Sequence, residues 1–149
     1  MKEIITKKWG VYTKTNKEFD EIYHKIALHY KLSDSSFWVL YSLYEAKRPC
    51  TQMEICKEWN FSKQTINSTI KNLENLGYIT KENYENNKLY KKIHLTSLGM
   101  EIAEKTVKNV IILEDIAFSK ISEEELDIII KLLQKVLSSF KEEASKIIK

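Results

Sequence analysis

From Ser62 to Lys71 the outward face of a helix would carry six hydrogen-bonding side chains: Lys63, Gln64, Thr65, Asn67, Ser68 and Lys71. Two are carboxamides, two are hydroxyls and two are ammonium groups. None is a strong nucleophile or a general base at neutral pH. Groups of these types bind by donating and accepting hydrogen bonds and by pairing with anions. A merely solvated helix face would be served by Glu and Lys, so short polar groups crowded at one helix end suggest a surface that meets a polar partner.

The rest of the 149-residue chain offers little for catalysis. Three glycines leave no room for a phosphate-cradling loop, and no Gly-x-Ser-x-Gly elbow occurs. Cys50 and Cys56 match no zinc spacing, and His24, His29 and His94 are scattered. No enzyme activity, metal or cofactor is expected. Two cysteines fit a reducing compartment, and no apolar run approaches the ~18 residues of a membrane span. The N-terminal stretch lacks a secretory pattern. A cytoplasmic protein is expected. Cys50 reads as a loop residue open to solvent, and Cys56 as a packed, inert thiol.

The net charge of +3 is local. Between Phe61 and Leu95 six lysines face three glutamates, so this segment holds the chain's whole positive excess. Such a patch points weakly to a polyanion.

The elements that must carry these residues follow from caps and periodicity. Thr15-x-x-Glu18 reads as a capping box opening a helix that ends near Leu32, with Phe19, Ile22, Tyr23, Ile26 and Tyr30 as its apolar stripe. A second helix carries Phe37, Leu40, Tyr41 and Tyr44 and stops before Pro49. Thr51-x-x-Glu54 opens a short third helix with Ile55, Cys56 and Trp59 inward. Asn60 and Phe61 turn the chain, and Ser62 caps the fourth helix, whose inward positions are Ile66, Ile70, Leu73 and Leu76. Gly77 stands where a helix C-terminus favours a left-handed residue.

After Gly77 the period falls to two. "YITKE" and "LYKKIHL" read as strands around the polar turn "NYENNK", a β-hairpin with a projecting tip. Thr96 begins a helix reaching Phe118, apolar on more than one stripe and so expected to be widely buried. Ser122-x-x-Glu125 opens the last helix. Its residues Leu126, Ile130, Leu133, Leu137, Phe140, Ala144 and Ile147 step by 4 and 3 in alternation, the heptad period of helix-on-helix packing. Periodicity alone serves a partner helix in the same chain as well as one in another copy.

A short helix, a turn, a polar-faced helix and a hairpin make a winged helix-turn-helix. The major groove of B-DNA admits one helix, and base edges present donors and acceptors there. The expected contacts are Thr51, Gln52, Ser62, Lys63, Gln64, Thr65, Asn67, Ser68 and Lys71, with Asn87, Lys88 and Lys91 from the wing. The expected fold is mainly α with a small hairpin wing, six helices in all. Residues 33–95 would form the DNA-binding region, with 1–32 and 96–149 as dimerisation helices of one continuous fold.

The chain resembles the MarR family of transcriptional regulators, named for multiple antibiotic resistance. The likeness lies in "TQMEI", in "SKQTINSTIKNLENLGYI" and in "LTSLG" at the wing-to-helix junction, and the order of elements extends it over nearly the whole chain. It implies a homodimer on a palindromic operator, built through the first and last two helices, with Leu126, Ile130, Leu133, Leu137 and Phe140 at the seam. It also implies a repressor answering to a small aromatic effector, for which Tyr23, His24, Trp38 and Tyr41 are the candidate lining. The pattern departs in two places. The wing-tip Asp-x-Arg pair of many members is replaced by Asn87, Lys88 and Leu89, and Ser68 stands where arginine is common. Arg48 is the chain's sole arginine, so guanine lacks its usual reader and A·T-rich sites are expected. The competing class is a winged helix that binds protein without specific DNA recognition; the polar face of the fourth helix argues against it.

Overall fold

The computed structural model describes the backbone of residues 2–84 and 87–148, and the side chains of 3–83 and 91–148. Among the described residues six helices and three strands follow one another as α1 (Lys2–His29), α2 (Asp34–Ala46), β1 (Cys50–Thr51), α3 (Gln52–Trp59), α4 (Lys63–Asn75), β2 (Ile79–Tyr84), β3 (Asn87–Leu95), α5 (Ser97–Phe118) and α6 (Glu123–Ser145). The expected mainly helical, winged architecture is present. The chain divides into two compact units, Met1–Val110 and Ile111–Lys149.

In the first unit the core forms around α2. Phe37, Val39, Leu40 and Leu43 are buried against Ile55 of α3, Ile66, Ile70 and Leu73 of α4, and Ile79 and Ile93 of the sheet. The first half of α5 contributes Ala103, Val107 and Val110. The three-stranded antiparallel sheet has the order β1-β3-β2. Cys50 faces Ile93 and Ile79 faces Leu95, with a register shift between Asn83 and Tyr84. Sequence reasoning missed β1, which is only two residues long. It also made the polar turn too long, since β2 runs through Tyr84 and β3 begins at Asn87.

The helix termini show which capping signals are real. Thr51 and Ser122 each make a complete capping box with Glu54 and Glu125. Ser62 accepts from the Thr65 amide. The expected box at Thr15 does not exist. Thr15 lies inside α1, and its hydroxyl donates back to the Val11 carbonyl at 3.1 Å. A threonine in mid-helix satisfies itself this way and caps nothing.

The end of α4 is a Schellman motif: Tyr78 N–H reaches the Leu73 carbonyl at 2.9 Å and Gly77 N–H that of Glu74 at 3.0 Å. Gly77 sits at φ 74°, as its position predicts. The "LTSLG" junction then locks α5 to this turn. Thr96 donates its hydroxyl proton to the Gly77 carbonyl at 2.6 Å and accepts from the Gly99 amide at 2.9 Å. At Gly99 a Cβ would lie 1.8 Å from the Tyr78 carbonyl oxygen, so only glycine fits.

Four burial expectations fail. Leu76 is exposed, because the helix ends there and its stripe has no further partner. Phe19 and Ile22 of α1 are exposed, as are Leu98, Leu113 and Phe118 of α5, so α5 is not widely buried in the single chain. Cys50 is not an open loop thiol. It is 4% exposed in β1 and burial raises its pKa, both of which work against thiolate chemistry.

In the second unit Ser122 caps α6, and none of its residues is buried. Ile130, Leu133, Leu137 and Phe140 are exposed, and so are Ile128, Ile129, Leu132 and Val136. Apolar residues thus occupy a broader arc than the heptad stripe alone.

Candidate nucleic-acid interface

The side chains named from sequence fall into two groups once their partners are known. The first group is consumed by the helices themselves. Thr51 donates its hydroxyl proton to Glu54 Oε2 at 2.9 Å and accepts from the Glu54 amide at 3.2 Å. Ser62 and Thr65 share a hydroxyl hydrogen bond of 2.7 Å. Ser68 donates to the Thr65 carbonyl at 2.8 Å. These hydroxyls shape the interface more than they offer groups to a partner.

The second group remains available. Lys63, Gln64 and Lys71 are exposed along α4 and Lys91 on β3, while Asn67, exposed beside them, keeps its NH₂ group free but accepts at Oδ1 from Gln52 Nε2 at 2.6 Å. Lys63 and Lys91 line one cleft of about 460 Å³ between α3, α4 and the sheet, together with Gln52, Cys56, Asn67 and Lys81. Lys81 is already paired with Glu74 at 2.6 Å. Among the described residues Lys63, Lys71 and Lys91 have no carboxylate within reach, so their charge stays outward. The wing-tip candidates Asn87 and Lys88 begin β3, and their side chains lie outside the described residues.

The face is braced from behind. Glu54 accepts from the Thr51 amide at 2.6 Å and from Arg48 Nη2 at 2.8 Å, and these bonds, the Thr51 amide first, hold its pKa down from 4.5 to about 2. The sole arginine therefore buttresses the start of α3. Deeper, Trp59 at the end of α3 donates from Nε1 to Ser42 at 2.6 Å, and Ser42 donates to Glu58 at 2.6 Å. His94 Nε2 lies 3.1 Å from Glu82 Oε2, off the direction of a hydrogen bond, and is buried without a hydrogen-bond partner among the described residues.

The effector candidates are partly gathered. Tyr23 and Trp38 have ring centroids 5.0 Å apart, and Trp38 and Tyr41 5.4 Å. Sequence reasoning missed Trp59, which stacks on Trp38 at 4.1 Å and ties the group to α3. His24 turns to Asp34, with Nδ1 2.8 Å from Oδ1 on the exposed surface. Neither this cleft nor a second one of about 400 Å³ beside Arg48 and His94 includes any of the four.

Comparison with known proteins agrees with this architecture. Residues 30–86 match the model of the MarR family. No curated protein matches the sequence. Among solved structures, the S. aureus MepR–DNA complex superposes with a TM-score of 0.73 at 23% identity, covering 87% of this chain and 94% of that one. A MarR transcriptional regulator from Methanosarcina mazei Go1 gives 0.65 at 19%, covering 91% and 98%. The PcaV transcriptional regulator from Streptomyces coelicolor, in complex with its natural ligand, gives 0.64 at 12%, covering 83% and 89%. At these identities the likeness carries the fold and nothing about partners. Residues 30–86 thus match the MarR family model, in a chain that shares its fold with solved MarR-type regulators.

Proposed function

We propose that this chain is a sequence-specific, DNA-binding transcriptional repressor acting as a homodimer on a palindromic, A·T-rich operator. The observation that carries this is the outward row Lys63, Gln64, Asn67 and Lys71 on α4, beside Lys91 of the wing. It joins uncompensated positive charge to amide groups on a helix of groove-fitting width. Lysines neutralise phosphates, while amides discriminate bases. The MepR structure with DNA lends support by its shared fold. A cytoplasmic location goes with this role; no described helix is long and apolar enough to cross a membrane.

The dimer would be made by residues 1–32 and 96–149, with Leu126, Ile130, Leu133, Leu137 and Phe140 at its seam. The exposure of Ile130, Leu133, Leu137 and Phe140 in the single chain, beside a half-buried Leu126, supports this, since so wide an apolar arc needs cover. Two winged regions would then meet half-sites about one helical turn apart.

Responsiveness to an aromatic effector rests on Tyr23, His24, Trp38 and Tyr41. A ligand ring entering this group would compete with Trp59 for Trp38 and so displace the end of α3. Quenching of tryptophan fluorescence by a series of phenols and aromatic acids, coupled to release of DNA, tests it; quenching without release contradicts the coupling. For DNA binding itself, the test is anisotropy titration of a labelled duplex from upstream of the gene. Affinity that falls steeply with salt is expected; salt-independent or absent binding contradicts the proposal.

A further inference from the structure

Two carboxamides meet across the helix-turn-helix. Gln52, the first residue of α3, donates from Nε2 to Oδ1 of Asn67 on α4 at 2.6 Å. Both stand at the cleft that Lys63 and Lys91 also line. Among the described residues neither side chain has a second hydrogen-bond partner.

One hydrogen bond between two carboxamides uses one N–H and one carbonyl lone pair. The groups left wholly unused are the NH₂ of Asn67 and the carbonyl of Gln52, a donor group and an acceptor group on different side chains; Gln52 also keeps its second N–H and Asn67 one carbonyl lone pair. The count is the same whichever amide donates. In the major groove adenine shows an N6–H donor and an N7 acceptor, which this pair complements. Guanine shows two acceptors, so the pair's carbonyl would face O6 with no proton between them. Cytosine offers a donor alone, and thymine an acceptor and a methyl group. The tie also fixes two otherwise mobile side chains, which lowers the ordering cost on binding.

We propose that Gln52 and Asn67 form one composite reader of a single adenine in each half-site, a specificity device that rests on the DNA-binding reading above. Asn67 then does not read as an isolated side chain, and Gln52 belongs to recognition although it lies outside the recognition helix.

The experiment selects duplexes from a random pool with the wild-type chain. It then measures the affinity of wild type, Gln52→Ala, Asn67→Ala and the double variant for the selected duplex, for every single-base-pair change in it, and for a non-specific duplex. Each single substitution is expected to remove preference at the same A·T pair, by about 5- to 150-fold. The double variant should lose no more than either single one, and non-specific binding should stay unchanged, which also shows that the variants fold. If Gln52→Ala does not fold, Gln52→Met, of similar length and without an amide, takes its place. Relaxation at two different base pairs, losses that multiply, or a Gln52 substitution that weakens all duplexes equally would overturn the pair while leaving the DNA-binding reading intact. A wild-type chain that selects no duplex overturns both.

Discussion

Glu54 shows how much one side chain can hold in place. Its carboxylate closes the Thr51 cap and receives Arg48, so the start of α3, and Gln52 with it, depends on its charge. Its pKa in the fold is about 2 against an ordinary 4.5. A depressed carboxylate stabilises above its unfolded pKa and loses that contribution as pH falls through the folded one. Wild type should therefore exceed Glu54→Gln in urea midpoint at neutral pH, and the gap should close between about pH 5 and pH 2. A gap independent of pH would show that charge plays no part. This cap was legible in the sequence, while the identical pattern at Thr15 misled. Spacing records that a hydroxyl can reach a backbone group, but not whether the backbone there has an orphan N–H to offer. For the same reason the Ser62 cap was legible, while the inward hydrogen bonds of Thr65 and Ser68 were not.

At the scale of elements, one junction fixes the end of α4 and another fixes α3. The first is the contact of α5 with the turn after α4, where Gly99 passes the Tyr78 carbonyl. Gly99→Ala must move backbone, and a loss of about 1–3 kcal/mol or more is expected, seen as a lowered thermal midpoint. An unchanged midpoint would mean the approach is looser than the structure shows. The second is the Trp59–Ser42–Glu58 chain joining α3 to α2. Ser42→Ala leaves the indole N–H unpaired and should cost about 1–3 kcal/mol by urea denaturation; a neutral result would mean that water replaces the hydroxyl. The periods of α2, α4 and the hairpin were readable because one chain buries their stripes. The stripes of α1, α5 and α6 were readable as patterns, yet their burial was not. A stripe names a need for cover without naming the chain that supplies it. The two-residue β1 left no periodic signal at all.

For the whole molecule, the exposed apolar arc of α6 is the face that the proposed dimer would cover with a second copy. Leu133→Glu or Leu137→Glu would place an unpaired charge at that seam. Light scattering should then report loss of the dimer, while a wild-type monomer at micromolar concentration would contradict the assembly. Phosphate contacts belong to this scale too, since in the proposed dimer both winged regions would contribute. Lys71→Ala and Lys91→Ala should each weaken binding to all duplexes alike and lower the salt slope by about one per protomer. Slopes equal to wild type would remove these lysines from the interface.

The central claim is that a dimer reads A·T pairs through α4. Selection of duplexes from a random pool by the purified wild-type chain tests it most directly. The account predicts a palindrome with half-sites about 10 base pairs apart and A·T pairs at the selected positions. A G·C-rich core, or a pool that ends as random as it began, would contradict it.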